Sequence, residues 1–198
     1  IAGSNIENVT GNYNAVLGTG HNRVNGYNIV TGGNHKDIYN NYNAVSGANH
    51  DSIYYGNLVS GVDNNKVKGS YNAVVGTNHD NVYGSYNAVF GSNHNDIQGG
   101  YNLVSGALHD SITNNYNAVI GYNIDKVSGS SNIVAGNAHD NIYSAYNAVF
   151  GYNNDVINQY NIVAGGNHDS ILGIGSAVFG GSHKKIRSNY NLIAGSNI

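Results

Sequence analysis

The sequence contains no cysteine, proline, methionine or tryptophan, and only 10% of its 198 residues are charged. Without cysteine, stability owes nothing to disulfides, so this composition is compatible with an extracellular location but does not require one. Without proline, every residue keeps the backbone N–H that a hydrogen-bonded sheet needs. The net charge of −3 comes with no basic stripe, and no apolar run is long enough for a transmembrane helix. We therefore expect no nucleic-acid partner and no membrane insertion.

What the sequence does contain is one motif repeated from Ser4 to Gly195. A short half-unit, Ser-Tyr-Asn-Ala-Val-Val-Gly at residues 70–76, alternates with a long half-unit, Thr-Asn-His-Asp-Asn-Val-Tyr-Gly at residues 77–84. Together they form a unit of 15 residues, or of 14 where the short half-unit loses its first residue. Ten units of 15 and three of 14 account for 192 residues. A short period of this kind predicts a stack of similar coils.

Each half-unit is typical of one short strand followed by a corner. Val or Ile recurs two residues before nearly every Gly, as at Val16 and Val74, and this column predicts the core. Glycine supplies the corner, and strands stack about 4.8 Å apart. We predict an all-β fold: a β-solenoid, specifically a two-sheet β-roll of 13 coils of 14–15 residues, running as a single continuous array over residues 1–198. Because residues 1–6 and 193–198 are identical, we expect an excerpt of a longer chain.

The phrase Asn-x-Val-x-Gly, at residues 14–18, 72–76 and 161–165, resembles the repeat of two known groups. One group is the grass ice-recrystallisation-inhibition and antifreeze proteins, and the other is the heads of trimeric autotransporter adhesins. The resemblance covers essentially the whole chain and implies a left-handed β-roll. In the long half-units we expect Asp at the corresponding place, which departs from both families. The Asn of the phrase recurs in every short half-unit except at Ser176: Asn14, Asn28, Asn43, Asn57, Asn72, Asn87, Asn102, Asn117, Asn132, Asn147, Asn161 and Asn191.

The strand of each short half-unit presents two outward side chains, one directly after the Asn and one directly before the Gly. In 12 of the 13 coils one of the two is a large apolar residue, and threonine forms no continuous row. Such a surface is uneven, fits ice poorly and exposes more apolar area than is usual for a soluble monomer. We predict that it is a self-association face. It consists of Leu17, Ile29, Leu58, Val75, Phe90, Leu103, Ile120, Ile133, Phe150, Ile162, Phe179 and Leu192.

Two aromatic columns lie three residues before the core residues. In the short half-units the column is a tyrosine ladder that includes Tyr71, Tyr86, Tyr101, Tyr116 and Tyr146, and in the long half-units it is a histidine ladder that includes His79, His94 and His109. We expect both to stack along the coils as structural ladders at the corners. A metal-binding or pH-responsive stripe is the alternative for histidine, and carbohydrate binding or phenol cross-linking is the alternative for tyrosine. No compact His or Cys motif supports a metal site, so we predict neither a metal nor a cofactor.

Five successive long half-units carry aspartate at the same place: Asp110, Asp125, Asp140, Asp155 and Asp169. Carboxylates about 4.8 Å apart repel one another, and we expect hydrogen bonds to backbone N–H groups at the corner to offset the repulsion. A row of Ca²⁺ ions is the alternative. Asp and His recur as equal rungs and do not converge on one cleft, so we expect no enzymatic activity and no catalytic residues.

These features lead to one ranked set of functions. We expect a structural segment of an extracellular filament or cell-surface fibre, whose partner is itself through lateral and end-to-end association. An adhesin stalk or head that contacts a host ligand or polysaccharide is the alternative, and an ice-binding protein is the third possibility.

Overall fold

The computed structural model describes residues 1–197, so Ile198, the last residue of the terminal repeat, lies outside the described residues. The described chain contains strands and no helix. It divides into two compact units, Ile1–Tyr101 and Asn102–Ile198. Both are stacks of parallel coils, and the predicted all-β solenoid of about 13 coils is confirmed.

In the first unit, strands from short and long half-units alternate along the chain. Each set forms its own parallel sheet, in which odd-numbered strands pair with odd-numbered strands and even-numbered with even-numbered. The strands are β1 (Ala2–Ser4), β2 (Glu7–Thr10), β3 (Ala15–Thr19), β4 (Asn22–Asn25), β5 (Ile29–Gly33), β6 (Lys36–Tyr39), β7 (Ala44–Ala48), β8 (Asp51–Tyr54), β9 (Leu58–Val62), β10 (Asn65–Lys68), β11 (Ala73–Thr77), β12 (Asp80–Tyr83), β13 (Ala88–Ser92) and β14 (Asn95–Gln98).

In the second unit, the strands of the short half-units remain five residues long, whereas those of the long half-units shrink to two residues or to isolated bridges. The bridges join Thr113 to Ser128 and link Ile142, Ile157, Ile171 and Ile186 in succession. The strands are β15 (Leu103–Ala107), β16 (Ala118–Tyr122), β17 (Val127–Ser128), β18 (Ile133–Asn137), β19 (Ile142–Tyr143), β20 (Ala148–Tyr152), β21 (Ile162–Gly166), β22 (Ala177–Gly181) and β23 (Leu192–Ser196).

The register is in phase from coil to coil. Between β11 and β13, for example, Val74 pairs with Val89 and Val75 pairs with Phe90. Equivalent residues therefore form straight columns. The predicted Val and Ile column is the core, since its members from Val16 to Ile171 are at most 1% exposed.

The glycine that closes each short half-unit is required by the spacing of the coils. Gly76 has a φ of +136°, and a methyl group on it would overlap the carbonyl oxygen of Gly91 in the next coil. The coil has further left-handed corners that are filled by residues with side chains, for example Asn78 and Asn81. Asparagine tolerates this backbone conformation better than most residues, which explains its abundance.

Candidate functional site

The outward side of the short-half-unit strands is an apolar sheet surface in both units. Val75 is half-buried, and the other 11 predicted face residues are between 39% and 78% exposed. Most of the small residues beside them, such as Ala73 and Ser105, are half-buried, and Ala15 and Ala194 are exposed. The structure therefore places every predicted face residue on the outer surface, and we call the 12 large side chains and their small neighbours the apolar face.

Charge is completely separated from this surface. Strands β1, β3, β5, β7, β9, β11, β13, β15, β16, β18, β20, β21, β22 and β23 contain no Asp, Glu, Lys or Arg. The ion pairs between Arg23 and Asp37, between Lys36 and Asp51, and between Lys66 and Asp80 all lie on long-half-unit strands. Each coil thus has one charged side and one uncharged side. Sequence reasoning recognised the apolar excess but did not use this segregation of charge, which can be read directly from the sequence.

Behind the apolar face, the Asn column forms a buried hydrogen-bond ladder. The Oδ1 atom of Asn72 accepts the backbone N–H of Asn87 at 2.9 Å. The Nδ2 atom of Asn72 donates to the Gly84 carbonyl at 2.9 Å and to Asn57 Oδ1 at 3.1 Å. Each amide therefore satisfies backbone groups that would otherwise be buried without partners, and it fixes the strand edge that carries the apolar face.

The histidine column is buried, whereas the tyrosine column is exposed. The sequence indicated that the two columns are equivalent, and the structure shows that they are not. The Nε2 atom of His35 lies 2.8 Å from the Thr31 carbonyl oxygen, and its Nδ1 atom accepts the backbone N–H of His50 at 3.3 Å. In the same column, Asn64 Nδ2 donates to the Ser60 carbonyl at 3.0 Å. Histidine, and not Asp as predicted, thus occupies the Asn-equivalent place of the long half-unit.

A neutral imidazole with its proton on Nε2 reproduces the donor and acceptor of an asparagine amide. Successive rings stack with centroids 4.8–5.0 Å apart, including the pair His79 and His94. His109 contacts the Ser105 carbonyl through Nε2 at 3.0 Å, and its Nδ1 accepts the N–H of Ile124 at 3.2 Å. Within residues 1–197, the Nδ1 atoms of His21, His79 and His168 and the Nε2 atom of His168 have no hydrogen-bond partner.

Burial favours the neutral form of six histidines of the column. It is the largest cause that lowers the pKa of His35 from the ordinary 6.5 to about 4; the Thr31 carbonyl opposes the change, and the charges of His50 and His21 add to it. Burial likewise lowers the pKa of five other histidines: His50, His79, His109, His139 and His168. Protonation would place charges on stacked neighbours, so the column stabilises the fold only in its neutral form.

The tyrosine ladder stacks at an exposed corner. The ring centroids of Tyr71 and Tyr86 lie 5.3 Å apart and those of Tyr86 and Tyr101 lie 4.9 Å apart. Tyr116 and Tyr146 occupy the same corner and are more than half exposed. These five tyrosines have left-handed backbone conformations, and Gly56, which replaces tyrosine in one coil, has the same conformation with a φ of +68°. The ladder is therefore tied to the corner geometry.

The Asp column is exposed or half-buried, and backbone groups bind part of it, as predicted. The N–H of Lys126 donates to Asp125 Oδ1 at 2.9 Å, and the N–H of Val156 donates to Asp155 Oδ1 at 2.9 Å. Burial, followed by the charges of Asp125 and Asp155, raises the pKa of Asp140. Among the described residues, no group of three or more His, Cys, Asp or Glu side chains is arranged to hold a metal ion.

Comparison with known protein families finds a match for part of the chain. Residues 52–143 match the family model described as the grass antifreeze beta roll. The chain is similar to the antifreeze β-rolls. This match confirms the resemblance that the Asn-x-Val-x-Gly phrase indicated. No curated protein and no solved structure gives a significant match. In the described part of the chain there is no helix long and apolar enough to cross a membrane.

Proposed function

We propose that this β-roll is a structural, self-associating element of an extracellular filament or surface fibre, and that the apolar face is its lateral contact. The observation that carries the proposal is the uncharged sheet surface described above, on which large apolar side chains are repeated coil after coil. Charged residues are depleted at the centres of protein interfaces, whereas free surfaces of soluble proteins seldom carry such extended apolar patches. The extracellular setting rests on the resemblance to repeat β-roll proteins alone.

The free energy of burying the apolar face is comparable with the cost of association. Fully burying a Leu, Ile or Phe side chain is worth about 1.5–3 kcal/mol, so covering the exposed half of each is worth about 1 kcal/mol. Twelve such side chains give on the order of 10 kcal/mol before the entropic cost of association, which is itself about 4–15 kcal/mol. Lateral contact should therefore be reversible for a single pair and should strengthen as more coils take part.

Sedimentation velocity over a range of concentrations tests this proposal. The triple substitution Phe90→Asp, Phe150→Asp and Phe179→Asp places charge on the apolar face and should leave monomers at concentrations at which the unmodified chain associates. The matched control is Tyr71→Asp, Tyr86→Asp and Tyr101→Asp, which removes three rings from the exposed corner and should leave association intact. Far-UV circular dichroism checks that both variants stay folded. Association that survives the Phe substitutions, or is lost equally in the control, would refute the role of the face.

Ice binding is a second candidate, and the family match over residues 52–143 favours it. Against it, large and small side chains alternate on the apolar face, so the surface is not flat, and Thr31 is the only threonine at its outward positions. An ice-recrystallisation assay on the monomeric Phe-to-Asp variant and on the unmodified chain separates the two functions. Inhibition by a monomer that does not associate would favour ice binding over the structural role.

A further inference from the structure

The apolar face has an internal pattern that an unassociated surface does not need. We call the residue after each buried Asn position 1 and the residue before each Gly position 2. In 12 of 13 coils one of these two is large and the other is Ala, Ser or Thr, and never are both large. In the second unit the large residue also changes position at every coil, from Leu103 to Ile120, Ile133, Phe150, Ile162, Phe179 and Leu192.

Crowding within one chain does not explain this pattern. The tyrosine ladder shows that large rings stack coil on coil without obstruction, with Tyr71, Tyr86 and Tyr101 spaced 4.9–5.3 Å apart. Burial does not explain it either, because the large side chains of the apolar face point away from the core. Pairing one large and one small side chain in the same coil has a simple use when another copy of the face lies opposite.

We propose that the partner of the apolar face is a second copy of this chain, packed face to face, parallel and in register. This inference rests on the proposed self-association. A two-fold axis along the stacking direction brings position 1 of each coil opposite position 2 of the same coil in the partner. Each large side chain then enters the space above the small one, and this holds for the 12 coils that carry a large residue.

An antiparallel pair does not fit as well. A two-fold axis along the strands brings position 1 opposite position 1 and position 2 opposite position 2. With the strands from β3 to β13 fully overlapped, Leu17 would meet Phe90, both large and both at position 2. The parallel arrangement avoids every such collision, so the pattern in the first unit selects it.

The contact area is adequate for a dimer. Each coil covers about 70 Å², from a strand spacing of about 4.8 Å and a strand length of about 15 Å. Seven coils bury about 1,000 Å² over both partners, which is the lower limit for a specific interface. The coil with Ala44 and Ser46, which has no large residue, would leave a gap on both sides of the two-fold axis.

Distance measurements between spin labels test the orientation. Because the chain lacks cysteine, Asn12→Cys, Asn41→Cys and Asn115→Cys each give one labelling site at the equivalent exposed corner. Parallel, in-register pairing predicts the same label-to-label distance at all three sites. In an antiparallel pair the signed axial offsets at Asn12 and Asn41 would differ by about 19 Å, because these sites lie two coils apart, and Asn115 lies on a later coil, so the three distances could not all be equal. Unequal distances would overturn the orientation but leave the proposed function standing.

A packing experiment tests the register independently. Ser46→Phe should fill the gap opposite Ala44 of the second copy and tighten association by about tenfold or more. The matched variant Ala73→Phe puts a second large residue beside Val75 and should weaken association by a similar factor. The reverse order of effects would overturn the in-register model. Monomers at every concentration, without dipolar coupling between labels, would overturn both this inference and the proposed function.

Discussion

The histidine column makes the fold sensitive to acid, and the substitution His35→Asn measures this most directly. His35 is fully buried and stacks between His21 and His50 at centroid distances of 5.0 and 4.8 Å. Its Nδ1 atom accepts a backbone N–H, so a proton on Nδ1 would face another N–H. Asn64 already occupies this column with equivalent hydrogen bonds, which indicates that the amide of a substituted Asn fits there.

The expected size follows from the pKa of His35, which is lowered from 6.5 to about 4. Between these values the unfolded chain binds more protons than the folded one, so stability is lost as the pH falls below 6.5 and levels off below about 4. For this residue the loss between pH 7 and pH 5 is about 2 kcal/mol. Because burial also lowers the pKa of five other histidines, the whole chain should lose more than this.

Urea unfolding followed by circular dichroism at pH 7 and pH 5 provides the assay. His35→Asn should change stability by less than about 1 kcal/mol at pH 7, because the hydrogen bonds are kept, and should lose about 2 kcal/mol less than the unmodified chain on going to pH 5. The reverse change, Asn64→His, should add acid sensitivity. If His35→Asn lost as much stability between pH 7 and pH 5 as the unmodified chain, the neutral-imidazole explanation would be wrong.

Two further predictions concern the backbone supports. Gly76→Ala should destabilise the fold by about 1–3 kcal/mol or more, because the methyl group overlaps the Gly91 carbonyl. Gly33→Ala meets only ordinary contacts and should cost little. Thermal unfolding compares the two variants, and equal stability would refute the packing argument. Asn72→Ala should cost about 1–3 kcal/mol for each buried backbone group it leaves unpaired, and amide exchange at Asn87 should accelerate; unchanged exchange would show that the side chain does not protect that N–H.

Much of the fold could be predicted from the sequence because each short half-unit follows simple strand alternation. Asn72 and Val74 point inward while Ala73 and Val75 point outward, as counting by two predicts. The period fixes the coil, and the recurring Val and Ile fix the core. The apolar face could be predicted for the same reason, since its residues occupy regular outward positions.

The long half-units could not be read in this way, because an extra residue resets the alternation. Asn81 has a φ of +56° and lies between Asp80 and the core residue Val82. This left-handed residue turns His79 inward, although His79 lies three residues before the core, as the exposed Tyr71 does before Val74. Left-handed positions filled by residues other than glycine leave a weak sequence signal, so the sequence predicts the histidine column at the corners, like the tyrosine column. The sequence does contain one indication that the histidine column is equivalent to the buried Asn column: Asn replaces His in that column at Asn64 and Asn154.

The central claim is that the apolar face brings copies of this chain together side by side. Negative-stain electron microscopy of the native, undenatured material tests it most directly. We predict filaments or rods paired along their length, and single rods after the Phe90→Asp, Phe150→Asp and Phe179→Asp substitutions. Discrete, unpaired particles in the native material would contradict the claim, and ice binding would then be the function to test next.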